Sequence, residues 1–209
     1  QYLQSHYDSI ISIHIPHEMS GTYQSAMNAS KRVDDSLITV VDGLSASVGL
    51  GLIVMKAATL AKDGRSHNEI EESLSEIINS TNLFLVVQDL SYVVRGGRLP
   101  RWVKTIADFL HIRPIMTTKV SGSMGAAGVI RGSADLTEKI SKFVLAKMDA
   151  EKSYNVSIGH CNTLEKGEKL KKMIQKGHHN INSIYLMDIG CALGVHAGPG
   201  SLAAAIQPV

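Results

Sequence analysis

Three places in the chain set hydroxyl, imidazole or guanidinium groups beside glycine. The first is Ser20-Gly21-Thr22, which comes after the apolar run Ile10 to Ile15. Ser20 can cap the helix that begins there, Gly21 permits close approach, and the free N–H groups of a helix start attract an anion. A carboxylate or phosphate would gain hydroxyl bonds as well, although a plain N-cap explains the same residues. The second place is "GVHAGPGS", residues 194–201. Pro199 suits the first position of a helix, Gly198 and Gly200 free the backbone around it, and His196 stands ready to donate to a carboxylate. A structural histidine is the competing reading. The third is "RGGRLPR", residues 95–101, three arginines around a glycine turn near Trp102, with Arg113 and Arg131 as further members. Arginine suits bidentate binding of phosphate or carboxylate, and a solvated turn is the alternative.

A fourth stretch, "VVDGLSASVGLG" (40–51), joins a strand ending at Asp42 to an apolar helix opened by Ser45 or Ser47. Gly49 and Gly51 each cost that helix about 1 kcal/mol relative to alanine, so close packing or a slender apolar ligand is the expected return. The glycines come too late for a dinucleotide fingerprint. Nine histidines are present, yet none has metal-ligand spacing; His17-Glu18 lacks the second histidine of a zinc helix. The sequence therefore predicts no metal and no cofactor. Lys166, Lys169, Lys171 and Lys172 are balanced by Glu165 and Glu168 and read as an exposed helix face.

These groups must be carried by something. The chain has 209 residues, 44% hydrophobic and 19% charged, ordinary values for a globular protein of one or two domains. A net charge of +2 is too small for a nucleic-acid footprint. Aromatics are only 5%, so an apolar pocket would be lined by aliphatic and Met side chains. Two cysteines, Cys161 and Cys191, form no C-x-x-C pair, and the N-terminus shows no cleavable apolar core, so a reduced, cytoplasmic setting is expected. The most apolar stretch, Leu44 to Ala61, is interrupted by serines, glycines and Lys56, which reads as a buried helix and not as a membrane span.

Strands are predicted at 9–15, 37–42, 83–87, 154–160 and 183–189, and helices at 22–33, 45–63, 68–80, 136–148 and 163–177. Segments 113–119 and 124–131 form a hairpin at "VSGS". The alternation implies an α/β fold with mainly parallel pairing. A polar turn at Ser80-Thr81-Asn82 suggests an N-terminal domain of residues 1–80 and a C-terminal domain of 81–209. The first part has only two strands, thin for a parallel sheet, and the chain opens on what looks like the tail of a helix.

In their order and spacing, "SGTYQSA" (20–26), "VVDGLSASVGLG" (40–51), "DLSYVVRGGRL" (89–99), "IRPIM" (112–116), Arg131 and "VHAGPGSLA" (195–203) resemble the DegV family, bacterial fatty-acid-binding proteins that serve a fatty acid kinase. The resemblance implies a two-domain α/β protein, with a mainly parallel sheet in the N-terminal domain, a second α/β domain, and a long-chain fatty acid between them. The carboxylate would meet Ser20, Gly21, Thr22 and His196. The acyl chain would run through an aliphatic tunnel past Ser47, Leu50, Gly51, Val54 and Met116. The protein would not be an enzyme. It would present the carboxylate to an ATP-dependent fatty acid kinase, which makes the acyl phosphate used in phospholipid synthesis. Arg98, Arg101 and Arg131 would face that kinase, and no stable membrane insertion or nucleic acid is implied. Family members also begin with a strand and an Asp-Ser loop, for which this sequence has no counterpart before Gln1; "IHIPHEM" and "VSGSMGAAG" are smaller departures.

An enzyme of another class is the alternative. Ser20, His196 and Asp42 would serve as nucleophile, base and orienter of a serine-type hydrolase. Against it, Ser20 lacks the G-x-S-x-G elbow.

Overall fold

The computed structural model describes residues 6–33, 38–132 and 135–209. The expected helix tail at the start of the chain and the first residue of the strand expected at 37–42 lie outside the described residues. The β-branched run after Tyr7 forms β1 (Ile10–His14) and pairs in parallel with β2 (Ile38–Asp42), joined through α1 (Thr22–Ser30). Two long helices come next, α2 (Ser47–Lys62) and α3 (His67–Ser80). A reciprocal capping box fixes the start of α3: Ser66 accepts from the Glu69 N–H while the Glu69 carboxylate accepts from the Ser66 N–H.

The rest of the described chain builds one six-stranded sheet. Its strands are β3 (Asn82–Val86), β4 (Ile112–Thr118), β5 (Met124–Arg131), β6 (Tyr154–His160), β7 (Ile181–Asp188) and β8 (Leu202–Pro208), in the spatial order β5-β4-β3-β8-β6-β7. Only β6 and β7 run parallel in it. The β3–β4, β3–β8, β4–β5 and β6–β8 pairs are antiparallel, so the expectation of mainly parallel pairing holds for the small sheet and not for the large one.

The reason is β8, which strand-helix alternation does not reveal. "LAAAI" has the composition of a helix, because alanine is the best helix former and is depleted in strands. Ala203, Ala204 and Ala205 are nevertheless completely buried between β3 and β6. Small side chains at that position let layers close on both faces. On one face α6 (Leu136–Leu145) and α7 (Leu164–Gly177) cover Phe84, Val86, Ile158, Leu202 and Ile206. On the other, Val48 and Leu52 of α2 meet Leu83, Ala203 and Ala205. The opposite side of α2 presents Ile53 and Ala57 to α3 and to Ile11 and Ile13 of β1. Thus α2 is a shared wall with one sheet on each side. Gly49 explains its closeness, since a Cβ there would lie 3.1 Å from the Leu83 Cβ. Gly51 has open space around its Cβ position, so of the two helix glycines only Gly49 serves packing.

Three short helices complete the structure: α4 (Leu90–Arg95), α5 (Arg101–Phe109) and α8 (Cys191–Ala197). Periodicity predicts none of them; each is six to nine residues long.

Candidate functional site

Where α1 begins, the backbone hydrogen-bond pattern makes Gly21 the cap residue, which has no side chain to cap with. Ser20 stands one residue earlier. Its oxygen accepts from the Thr22 N–H at 3.3 Å and from the Thr22 hydroxyl at 3.1 Å. With both acceptor positions engaged, the remaining hydrogen on Ser20 must find an acceptor elsewhere. The loop carrying Ser20 is tied down by Pro16, whose carbonyl accepts from the Met19 and Ser20 N–H groups at 2.9 and 3.1 Å.

His196 occupies the last turn of α8, and "GPG" after it leads into β8 and not into a helix, so Pro199 is not a helix start. Gly198 and Gly200 take φ of +75° and +80°, the left-handed region that lets the chain turn at once from helix to strand. Helices α4 and α8 lock through their glycines. A Cβ on Gly96 would fall 2.0 Å from the His196 Nδ1, and one on Gly198 would fall 2.5 Å from the Tyr92 ring. Each helix rests an aromatic ring on a glycine of the other. The Nδ1 of His196 is buried without a hydrogen-bond partner among the described residues, which leaves Nε2 as the nitrogen available to a ligand.

The "RGGR" turn is the C-terminal stop of α4. The Gly97 N–H donates to the Val94 carbonyl at 3.0 Å and the Arg98 N–H to the Val93 carbonyl at 3.1 Å, with Gly97 at φ +75°. This paired pattern is a Schellman motif, and it needs glycine at the left-handed position. It aims Arg98 at the loop before α1: one guanidinium nitrogen donates to the Met19 carbonyl at 3.1 Å and another to the Gly96 carbonyl.

These pieces face one cavity of about 330 Å³, within the usual size range of small-molecule sites. Ser20, Thr22, Ser47, Thr117, Arg98 and His196 bring the polar groups to it. The remaining wall is aliphatic or methionine, including Met19, Leu83, Leu85, Met116, Met124 and Leu193, with no aromatic ring except the imidazole. Ser47 enters at φ +51° and Leu44, three residues before, stands at +45°, so the link from β2 to α2 holds two strained residues beside the cavity. Neither Ser45 nor Ser47 caps α2; the cap residue is Ala46, and the Ser45 hydroxyl is buried with no partner among the described residues.

Not every residue expected here arrives. Gly21 heads α1 and is not among the lining residues, and Leu50, Gly51 and Val54 also lie outside the wall. Leu50 packs over Gly43, and Val54 lines a separate cleft between β1, α2 and α3, because the helix turns those positions away from the sheet that forms the cavity. Arg98 joins the wall itself, while Arg101 and Arg131 are exposed and do not line it. Thr117, Arg98 and Met124 are lining residues that sequence motifs did not single out for the cavity; β4 and β5 pairing carries Thr117 and Met124 there, and the Schellman turn carries Arg98.

The hydrolase arrangement is not assembled. Both Asp42 oxygens are engaged: Oδ2 accepts from the His17 N–H at 3.1 Å and meets the His17 Nδ1 at 2.5 Å, while Oδ1 accepts from the Leu44 N–H at 3.0 Å. The carboxylate therefore orients His17, whose pKa it raises, and leaves the buried Nδ1 of His196 without an orienter. Cys161 and Cys191 are free thiols. Among the described residues no group of three or more His, Cys, Asp or Glu could hold a metal, and no helix is long and apolar enough to cross a membrane.

Comparison with known proteins agrees with this architecture. The family model described as DegV, uncharacterised proteins, matches residues 1–209. A DegV domain-containing protein of Clostridium perfringens is 32% identical over 201 residues, covering 96% of this chain and 71% of the relative. A DegV-family protein from Thermus thermophilus, described for its fatty acid binding, superposes with a TM-score of 0.89 at 25% identity, over 100% of this chain and 74% of that one. DegV from Bacillus subtilis, described as a fatty acid binding protein, gives 0.86 at 25% identity, over 100% and 73%. With a family model matched along its whole length and a relative above 30% identity aligned over nearly all of it, the chain belongs to the DegV family.

Proposed function

We propose that this protein binds a long-chain fatty acid in the cavity between α2, α8 and the six-stranded sheet, and does not itself catalyse a reaction. The observation that carries the reading is the division of that cavity: hydroxyls of Ser20 and Thr22 and the imidazole of His196, with Ser47, Arg98 and Thr117, share a wall whose remaining residues are aliphatic or methionine. A carboxylate answers the Ser20 hydrogen and a proton on the His196 Nε2, and an acyl chain answers the rest. The fatty acids of the Thermus and Bacillus relatives supply the ligand class. Charge-assisted hydrogen bonds to a carboxylate are about twice as strong as neutral ones, which suits a site with few polar groups. The Gly21 backbone stands at the head of α1 between Ser20 and Thr22, outside the cavity wall, while Ser47 and Met116 line the acyl path.

The finer role is presentation of the carboxylate to an ATP-dependent fatty acid kinase, in the cytoplasm and for phospholipid synthesis, with Arg98, Arg101 and Arg131 as the cationic side chains that meet the partner. Residues 1–80 and 81–209 are the two units between which the acid sits. Purified protein extracted into organic solvent should yield a co-purified long-chain fatty acid by mass spectrometry, and delipidated protein should take up added palmitate. An empty extract with no palmitate uptake would overturn the reading. Ester hydrolysis abolished by Ser20→Ala would support the hydrolase instead.

A further inference from the structure

We propose that Arg98 is a positioning residue that clamps the two halves of the carboxylate site together. Its guanidinium bridges two backbone carbonyls that lie far apart in sequence, Met19 and Gly96. Each belongs to a different half. The Met19 carbonyl shares its planar peptide with the Ser20 N–H, so a donor on that oxygen fixes the plane from one side. Pro16 fixes it from the other, by accepting the Ser20 N–H. The Gly96 carbonyl belongs to the residue on which the His196 ring rests, with no room there for even a Cβ. One side chain thus sets the approach to Ser20 and the floor under His196.

The chemistry of the fork matters. Arginine presents several N–H donors in a rigid plane and can reach two carbonyls at once, whereas a lysine ammonium is a compact point charge on a flexible stem. Among the described residues no carboxylate pairs with Arg98, so its charge strengthens both bonds without competition. Both bonds are made within the protein itself; only their purpose rests on the fatty-acid reading.

Arg98→Gln and Arg98→Lys test this, compared with the parent protein by backbone amide hydrogen exchange and by palmitate affinity. Exchange over residues 17–22 should rise about tenfold in both variants, and palmitate affinity should fall about tenfold in both, the fold-change one charge-assisted hydrogen bond carries. Exchange in α7, remote from the site, should not move. Parent-like exchange in Arg98→Gln overturns the clamp. Parent-like affinity in Arg98→Lys overturns it too, because charge alone would then suffice. Faster exchange with palmitate affinity intact separates the clamp from the site and overturns its purpose. If the parent itself takes up no palmitate, the fatty-acid reading fails while hydrogen exchange still decides whether Arg98 holds the two halves.

Discussion

The two halves of the site are built on different principles. The Ser20 half is mostly local: Pro16, Met19, Ser20 and Thr22 bond one another within seven residues, while Arg98 reaches in to Met19 and Asp42 to His17. The His196 half is made by packing between distant segments, with a ring seated on Gly96 of α4 and a turn closed around Gly198. Local hydrogen bonds near the surface exchange with water and tolerate small movements. A ring pressed on backbone does not, because protein interiors are close-packed. Damage to the His196 half should therefore be large and abrupt, and damage to the Ser20 half graded.

The sharpest way to break that contrast is Gly96→Ala. The new Cβ would stand 2.0 Å from Nδ1 and 2.8 Å from Cε1 of His196, so the ring must leave its place. Overpacking of this kind costs about 1–3 kcal/mol, and loss of the imidazole from the cavity should weaken palmitate binding by about 3 kcal/mol, roughly hundredfold. Thermal unfolding and isothermal titration read the two effects, and unchanged affinity would mean that His196 does not face the ligand. Next in size is Ser20→Ala, expected to weaken binding by about 1–3 kcal/mol through one hydrogen bond to a charged group, with thermal stability little altered. An effect of Ser20→Ala as large on stability as on binding would place that hydroxyl in the fold and not in the site.

The same contrast explains what the sequence discloses. "SGT" is readable because Ser and Thr hydroxyls bond to nearby backbone groups, and the hydroxyl bonds found there are within two residues. Even so, the cap residue is Gly21 and not Ser20. "HAGPG" identifies His196 as notable but misleads about the element after it, since proline after glycine fits a helix start as well as a turn into a strand. Strand β8 escapes for a deeper reason. Its alanines are chosen by the layers above and below them, and tertiary packing overrides propensity there. Leu50 and Val54 share α2 with Ser47, which makes them candidates for the ligand wall. Helical rotation, which the motif does not encode, sends them elsewhere.

Gly97→Ala separates the two glycines of "RGGR". Gly97 has open space around its Cβ position, so an alanine there meets only the backbone cost of φ +75°. That cost is about 1 kcal/mol, a fall of about 2–4 °C in the thermal midpoint for a chain of this length. It should leave the His196 ring where it is. If Gly97→Ala abolishes palmitate binding as thoroughly as Gly96→Ala, the turn itself carries the site and the ring contact is secondary.

The smallest effect sharpens the Ser20 half. His17 anchors the loop before Ser20 to β2 through Asp42, and the hydrogen bond that its ring donates to that carboxylate raises the His17 pKa above its ordinary 6.5. A histidine whose folded-state pKa lies above the unfolded value adds stability that is fully present below the unfolded pKa. That stability is lost as pH rises through the raised folded value. Because His17 is exposed, water and salt screen the pair and the change in unfolding free energy should be slight. NMR titration of the His17 ring should show the raised value, and Asp42→Asn should return it toward 6.5. If Asp42→Asn shifted the His196 resonances as much as those of His17, the two halves would be coupled through β2 and the local character assigned to the Ser20 half would be wrong.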